Sequence, residues 1–185
     1  PLHGEDSIEI KQMTAKEEDM LTSRTLLRKG IAIDRVLESL ILDKRVNPNS
    51  LLVGDRNAII VATRVSGYGS DYNTKVSCPA CGTNQEYSFD LQEAVIYRGE
   101  DIDSINATGN GDGTYEVELP KSKLNVTFRL LTGNDEKRLL DGIEFDRKKK
   151  HHERGVTRQI TNIAIAVNGD SSPAAINYLA ANIPS

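Results

Sequence analysis

The residues best suited to chemistry are Cys78 and Cys81, the only two cysteines in 185 residues, set in the stretch VSCPACGTNQEYSF. In C-P-x-C-G the proline and glycine favour a tight turn whose backbone N–H groups can point at two thiolates, as a zinc ribbon presents half of its ligand set. The flanking segments NTKVS and NQEYSF read as strands and complete a zinc-ribbon-like knuckle. A structural zinc site takes four ligands, and the histidines on offer are His3, His151 and His152. The last two are adjacent, without the H-x3–5-H spacing of a finger, and lie in a lysine-rich run. Cys78 and Cys81 are therefore the candidate metal ligands, and zinc is the candidate cofactor. A knuckle that has lost its metal, or a second C-x-x-C outside these residues, would account for the same pattern. A thioredoxin-like redox role fits less well, because that motif opens a helix in a βαβ unit and here strands flank it.

The other motifs reduce to ordinary structure. TGNGDGTYEVE sets Asn110, Asp112 and Gly113 at calcium-loop places, but Thr108 stands where the first carboxylate belongs and Leu119 where the bidentate glutamate belongs. A glycine-rich hairpin loop explains the same letters without metal. The basic run DRKKKHHER could meet phosphate, although beside a helix end in an acidic chain such a run is more often a solvated face. In GDRN, Asp55 is accounted for as a helix cap. No G-x-S-x-G, Walker loop, H-E-x-x-H or kinase set occurs, so the chain is read as a non-enzyme.

The elements that must position these residues follow from periodicity. Alternation over 8–13 predicts a short strand, and TAKE directly after it is a capping box with Thr14 as N-cap and Glu17 three positions on. Met13, Met20 and Leu27, widened by Leu21, predict a helix to Lys29, with Gly30 as its left-handed terminator. Ile33, Val36, Leu37, Leu40 and Ile41 mark a second helix, broken by NPNS. Asp55 is expected to cap a third, whose Ile59, Ile60, Ala62 and Val65 suggest burial on more than one side. GYGS ends this block. Strand, cysteine turn and strand follow over 71–89, then a helical turn near 91–96. GNGDGTYEVEL and KLNVTFRLL alternate as two further strands. Thr132 and Asp135 cap another helix, VTRQITNIAIAV reads as a buried helix, and Ser172-Pro173 opens the last one.

The fold class expected is α+β: a helical body with a β-rich insert carrying a single C-x-x-C knuckle. The expected segments are 1–70, a strand and helices; 71–131, the insert; and 132–185, helices packing with the first block. No internal repeat or low-complexity tract is evident. With 38% hydrophobic and 27% charged residues, the composition suits a globular core. A net charge of −4 does not favour nucleic acid as a partner. No apolar run approaches the roughly 20 residues of a membrane span, and PLHGEDSIEI has no signal-peptide pattern, so no membrane partner is expected. Two cysteines in C-x-x-C argue against a secreted disulfide framework and for a reducing compartment. A start without methionine and an end at NIPS are the expected marks of trimmed termini.

Three blocks, IEIKQMTAKEEDMLTSRTLLRKG, LLVGDRNAIIVATRVSGYGSDY and VSCPACGTNQEYSFDL, in this order and spacing, resemble the baseplate hub subunit and hub assembly protein family of T-even-like contractile-tailed bacteriophages. The resemblance runs from about Ile8 to the end. It implies a structural or assembly (chaperone) role in tail morphogenesis through contacts with other tail and baseplate proteins, with self-association also admitted. The implied location is the host cytoplasm during assembly and the virion tail baseplate. It also implies a second cysteine knuckle after an IPSRDSRYLR-like segment, which would supply the two missing ligands in a longer chain. PLHGEDS would be the remnant of an extended N-terminal arm. The competing reading is a zinc-ribbon-like regulatory module that touches nucleic acid through residues 148–154.

Overall fold

Helix and sheet are both present, as the patterning predicts. The computed structural model describes residues 7–93, 107–152 and 154–183, and the chain divides into two compact units, Pro1–Ile96 and Tyr97–Ser185. The stretch expected as one insert is shared between them. Its first two strands belong to the first unit and its next three to the second.

In the first unit the expected N-terminal strand is reduced to one antiparallel bridge, Ile10 to Ile41, flanked by Lys11 N–H to Leu40 carbonyl and Leu42 N–H to Glu9 carbonyl bonds. The expected first helix is two pieces, α1 (Ala15–Thr22) and α2 (Arg24–Arg28). Ser23 breaks it: its backbone is extended and its hydroxyl accepts from Leu26 N–H, so a serine that competes for the backbone restarts the helix. Gly30 takes φ +66°, the left-handed terminator expected. Helix α3 (Ala32–Leu40) buries Val36, Leu37 and Leu40, while Ile33 stays exposed. A 3-10 turn at Pro48–Ser50 leads to α4 (Val53–Tyr68). Leu52, not Asp55, is its N-cap; Asp55 lies in the first turn, where a carboxylate still favours the helix dipole. Burial on more than one side is not found in α4: Ile59 and Thr63 are buried, whereas Ile60 and Ala62 are exposed. The core gathers Leu37, Ile41, Val46, Leu51 and Ile59, with Ile8 and Ile10 against it. Strands β1 (Asp71–Ser77) and β2 (Asn84–Asp90) then form an antiparallel hairpin in full register from Asp71–Asp90 to Ser77–Asn84. Of the turn expected near 91–96, Leu91–Glu93 is a 3-10 turn and the rest lies outside the described residues.

The second unit is built on a four-stranded antiparallel sheet in the order β3 (Ala107–Gly109), β4 (Thr114–Glu118), β5 (Asn125–Arg129), β6 (Ala164–Val167). The loop between β3 and β4 is the glycine-rich turn expected, with Gly111 and Gly113 at positive φ and Asp112 accepting from Thr114 N–H at 2.9 Å. Helix α5 (Gly133–Lys148) and helix α6 (Gly155–Ile163) connect β5 to β6, and α7 (Pro173–Asn182) follows. The segment read as one buried helix therefore splits: its first half is α6 and AIAV is a strand pairing with β5. A short apolar run with alternating burial is where helix and strand periods cannot be told apart. Val126, Ala164 and Leu179 centre this core, with Ile160, Val167 and Ile176 packed on it.

Candidate functional site

The cysteines stand at the tip of the β1–β2 hairpin, Cys78 half-buried and Cys81 exposed, both as free thiols. Cys78 N–H donates to Thr83 carbonyl at 2.9 Å and Gly82 N–H to Cys78 carbonyl at 2.8 Å. Gly82 sits at φ +71°, a conformation a Cβ would strain. Cys81 Sγ lies 3.3 Å from the Thr83 hydroxyl. That hydroxyl, then the Thr83 N–H and the Cys78 side chain, hold the Cys81 thiol below its ordinary range. The turn thus brings both predicted ligands together and favours the thiolate, the form that binds metal. His151 and His152 are exposed on the second unit, and His3 lies outside the described residues. Among the described residues, no group of three or more His, Cys, Asp or Glu is placed to hold a metal ion.

Behind the tip the hairpin is sharply two-faced, because side chains alternate across a strand. Tyr72, Thr74 and Val76 share one face with Gln85, Tyr87 and Phe89. Tyr72 and Tyr87 lie 5.3 and 5.7 Å from the Phe89 ring, and all three rings remain substantially exposed. The other face carries the charges and amides: Lys75 pairs with Glu86 at 3.4 Å, Ser77 donates to Asn84, and Ser88 donates to Asn73.

Four charged groups, Glu17, Asp135, Asp146 and Arg56, are buried among the described residues, and only the capping threonines of the first two were read from the sequence. Thr14 N–H and hydroxyl donate to one Glu17 oxygen at 2.9 and 2.6 Å. The other oxygen takes Lys11 Nζ at 2.8 Å and the α3 hydroxyl of Ser39 at 2.6 Å. Glu17 is fully buried, and Lys11 first, then Ser39 and Thr14, hold its carboxyl far below the usual range. The second unit does the same with Asp135. Thr132 N–H and hydroxyl reach Oδ2 at 2.9 and 2.7 Å, and Arg129 closes a bidentate pair at 2.6 and 2.9 Å. Arg129 first, then Thr132, depress the Asp135 carboxyl against the opposing effect of burial. Asp146 takes Arg158 at 2.9 and 3.2 Å and Arg154 at 3.3 Å, and these cations bring its pKa to about 2. Gly142 makes room for this: a Cβ there would meet Arg158 Nη1 at 2.9 Å. Arg56, buried on α4, donates to Asp34 at 2.8 Å and Asn49 at 2.5 Å.

Perturbed carboxylates can mark a reaction centre, but each of these is occupied in tying elements together. Glu17 joins a strand end, α1 and α3, whereas Asp146 joins α5 to α6. The apolar hollow of about 190 Å³ lined by Met13, Leu21, Leu37, Leu40 and Tyr68 offers no acid–base pair. The polar groups on its wall are engaged locally, with Thr63 donating to Ile59 carbonyl and Arg64 to Gly69 carbonyl. In the basic run, Lys148 pairs with Glu144 at 2.8 Å and Arg154 with Asp146. The Lys11 and Arg129 roles had a sequence signal, since both stand three residues before the capping threonine.

What these features define is a protein of two small helix-and-sheet units, with an exposed hairpin in the first and buried ionic ties in both. Residues 2–111 match the family model for T4 bacteriophage base plate protein, and the chain belongs to that family. No curated protein and no solved structure matches it. It is thus a tail baseplate-related protein of a bacteriophage, whose neighbours are other tail and baseplate proteins. Among the described residues no helix is long and apolar enough to cross a membrane.

Proposed function

We propose that the chain is a baseplate hub component or hub assembly factor, acting by protein–protein contact and without catalysis. The observation that carries this reading is the β1–β2 hairpin: an uncharged aromatic face left exposed, opposite a face that gathers the charges. A two-stranded sheet is marginal alone in water, so a partner surface against those rings would stabilise it. Mass spectrometry of purified particles and of assembly intermediates separates the two roles. A virion subunit is found in both, an assembly factor only in intermediates, and absence from both contradicts the reading. Self-association belongs to the same proposal and is read by sedimentation over a range of concentrations.

Zinc is proposed for Cys78 and Cys81 as half of a tetrahedral site, the remaining two ligands coming from a partner or from residues beyond these. The fit rests on the tight turn and on the thiolate-favouring contacts of Thr83. When bound, the metal would lock the hairpin tip and supply no reactive position. Elemental analysis of the assembled complex should give stoichiometric zinc that is lost in Cys78→Ser. A complex without zinc would leave the tip a plain turn.

A further inference from the structure

Parts of the two units share one pattern of residues and pairings. A constant step of 118 residues carries Ile8 to Val126, Ile10 to Phe128, Lys11 to Arg129, Thr14 to Thr132 and Glu17 to Asp135. At each end of that step a strand residue is followed by a base, a capping threonine and a buried acid. The acid closes on the base at 2.8 Å in one unit and 2.6 Å in the other. A capping box alone recurs widely, so this likeness needs independent support from elsewhere in the fold.

That support lies in the second helix and the returning strand. A step of 123 residues carries the start of α3 at Ala32 to the start of α6 at Gly155, and Leu37 to Ile160 in the two cores. The same step carries Ile41 to Ala164. Ile41 pairs antiparallel with Ile10, and Ala164 pairs antiparallel with Phe128, so the bridge joins equivalent residues in both units. Four apolar residues around the hollow of the first unit, Met13, Leu21, Ile33 and Leu40, have apolar counterparts in Leu131, Leu139, Val156 and Ile163; Val36 against Gln159 is the exception. The broken pair α1–α2 stands where the second unit has the continuous α5, and α4 stands where it has α7.

We propose that residues 8–68 and 126–182 are two copies of one module, strand–capped helix–helix–strand–helix, duplicated within the chain, with Val117, Leu119 and Leu124 added to the core of the second copy. Each copy closes on its own basic–threonine–acid clasp. The β1–β2 hairpin is an extension after the first copy's last helix, and the β3–β4 hairpin is an extension before the second copy's first strand. The two copies are thus one scaffold carrying different attachments.

Hydrogen exchange on the full-length chain tests whether each clasp holds its own copy. Glu17→Ala should deprotect amides of residues 8–68 and leave 126–182 at wild-type protection, and Asp135→Ala should do the reverse. Deprotection of both segments by either substitution would overturn the proposal. An experimentally determined structure of the unaltered chain tests common origin even where a variant does not fold. The two segments should superpose with one connectivity and one hand of the strand–helix–helix–strand crossing, and opposite hands would overturn it.

Discussion

Asp146 shows how a single side chain governs two helices and ties stability to pH. Its carboxylate is fully buried, and the guanidinium groups of Arg158 and Arg154 lower its pKa to about 2, against roughly 4 for an unfolded aspartate. Between those values the unfolded chain binds more protons than the folded one, so stability rises with pH across that window. The contribution is complete above the unfolded value and is lost as pH falls through about 2. Glu17 and Asp135, depressed in the same direction, add to the trend. The thermal midpoint should therefore fall as pH is lowered from about 5 to about 2, and Asp146→Asn should flatten that fall. Scans at a series of pH values check it. Gly82 is the second residue-scale test. At φ +71° a side chain costs roughly 1–2 kcal/mol, so Gly82→Ala should raise amide exchange in β1 and β2 while the helices of the first unit keep theirs.

Among the elements, α3 and α4 bear most directly on the first unit's stability. Leu40 is completely buried on α3, and Leu40→Ala should cost about 2–5 kcal/mol in chemical denaturation. Arg56 on α4 pairs with Asp34 on α3, at exposures of 8% and 17%. Arg56→Ala leaves the half-buried Asp34 carboxylate without its partner and should cost up to about 3 kcal/mol, whereas removing both charges in Asp34→Asn/Arg56→Met should cost clearly less. Elements whose cues are local were legible beforehand. The boxes at Thr14–Glu17 and Thr132–Asp135, the Ser172-Pro173 start and the alternating strands around Cys78 and Cys81 all form as read. Features set by distant partners were not legible. AIAV becomes a strand because β5 offers it an edge. One local feature also went unread: the helix after Thr14 breaks where Ser23 competes for Leu26 N–H, three residues on. The Arg56–Asp34 and Arg158–Asp146 ties join residues whose separations, 22 and 12 positions, carry no motif. The cysteine tip was readable as a turn, but its missing ligands were not.

At the scale of the whole chain, two small units with separate cores and an exposed, two-faced hairpin suit a component that is held by neighbours. The match over residues 2–111 spans the first unit from its second residue on, including the hairpin and its cysteines, and runs into the start of the second. The central claim is that this chain works in the baseplate through protein contacts made by that hairpin. Lys75 is exposed on the hairpin's charged face, within reach of amine-directed reagents. Cross-linking mass spectrometry on baseplates and tail-assembly intermediates is the most direct measurement. The account predicts cross-links from Lys75 to other tail proteins, lost together with co-purification when Tyr87 and Phe89 are both changed to serine. Intact co-purification of that double variant, with unchanged cross-links, would contradict it.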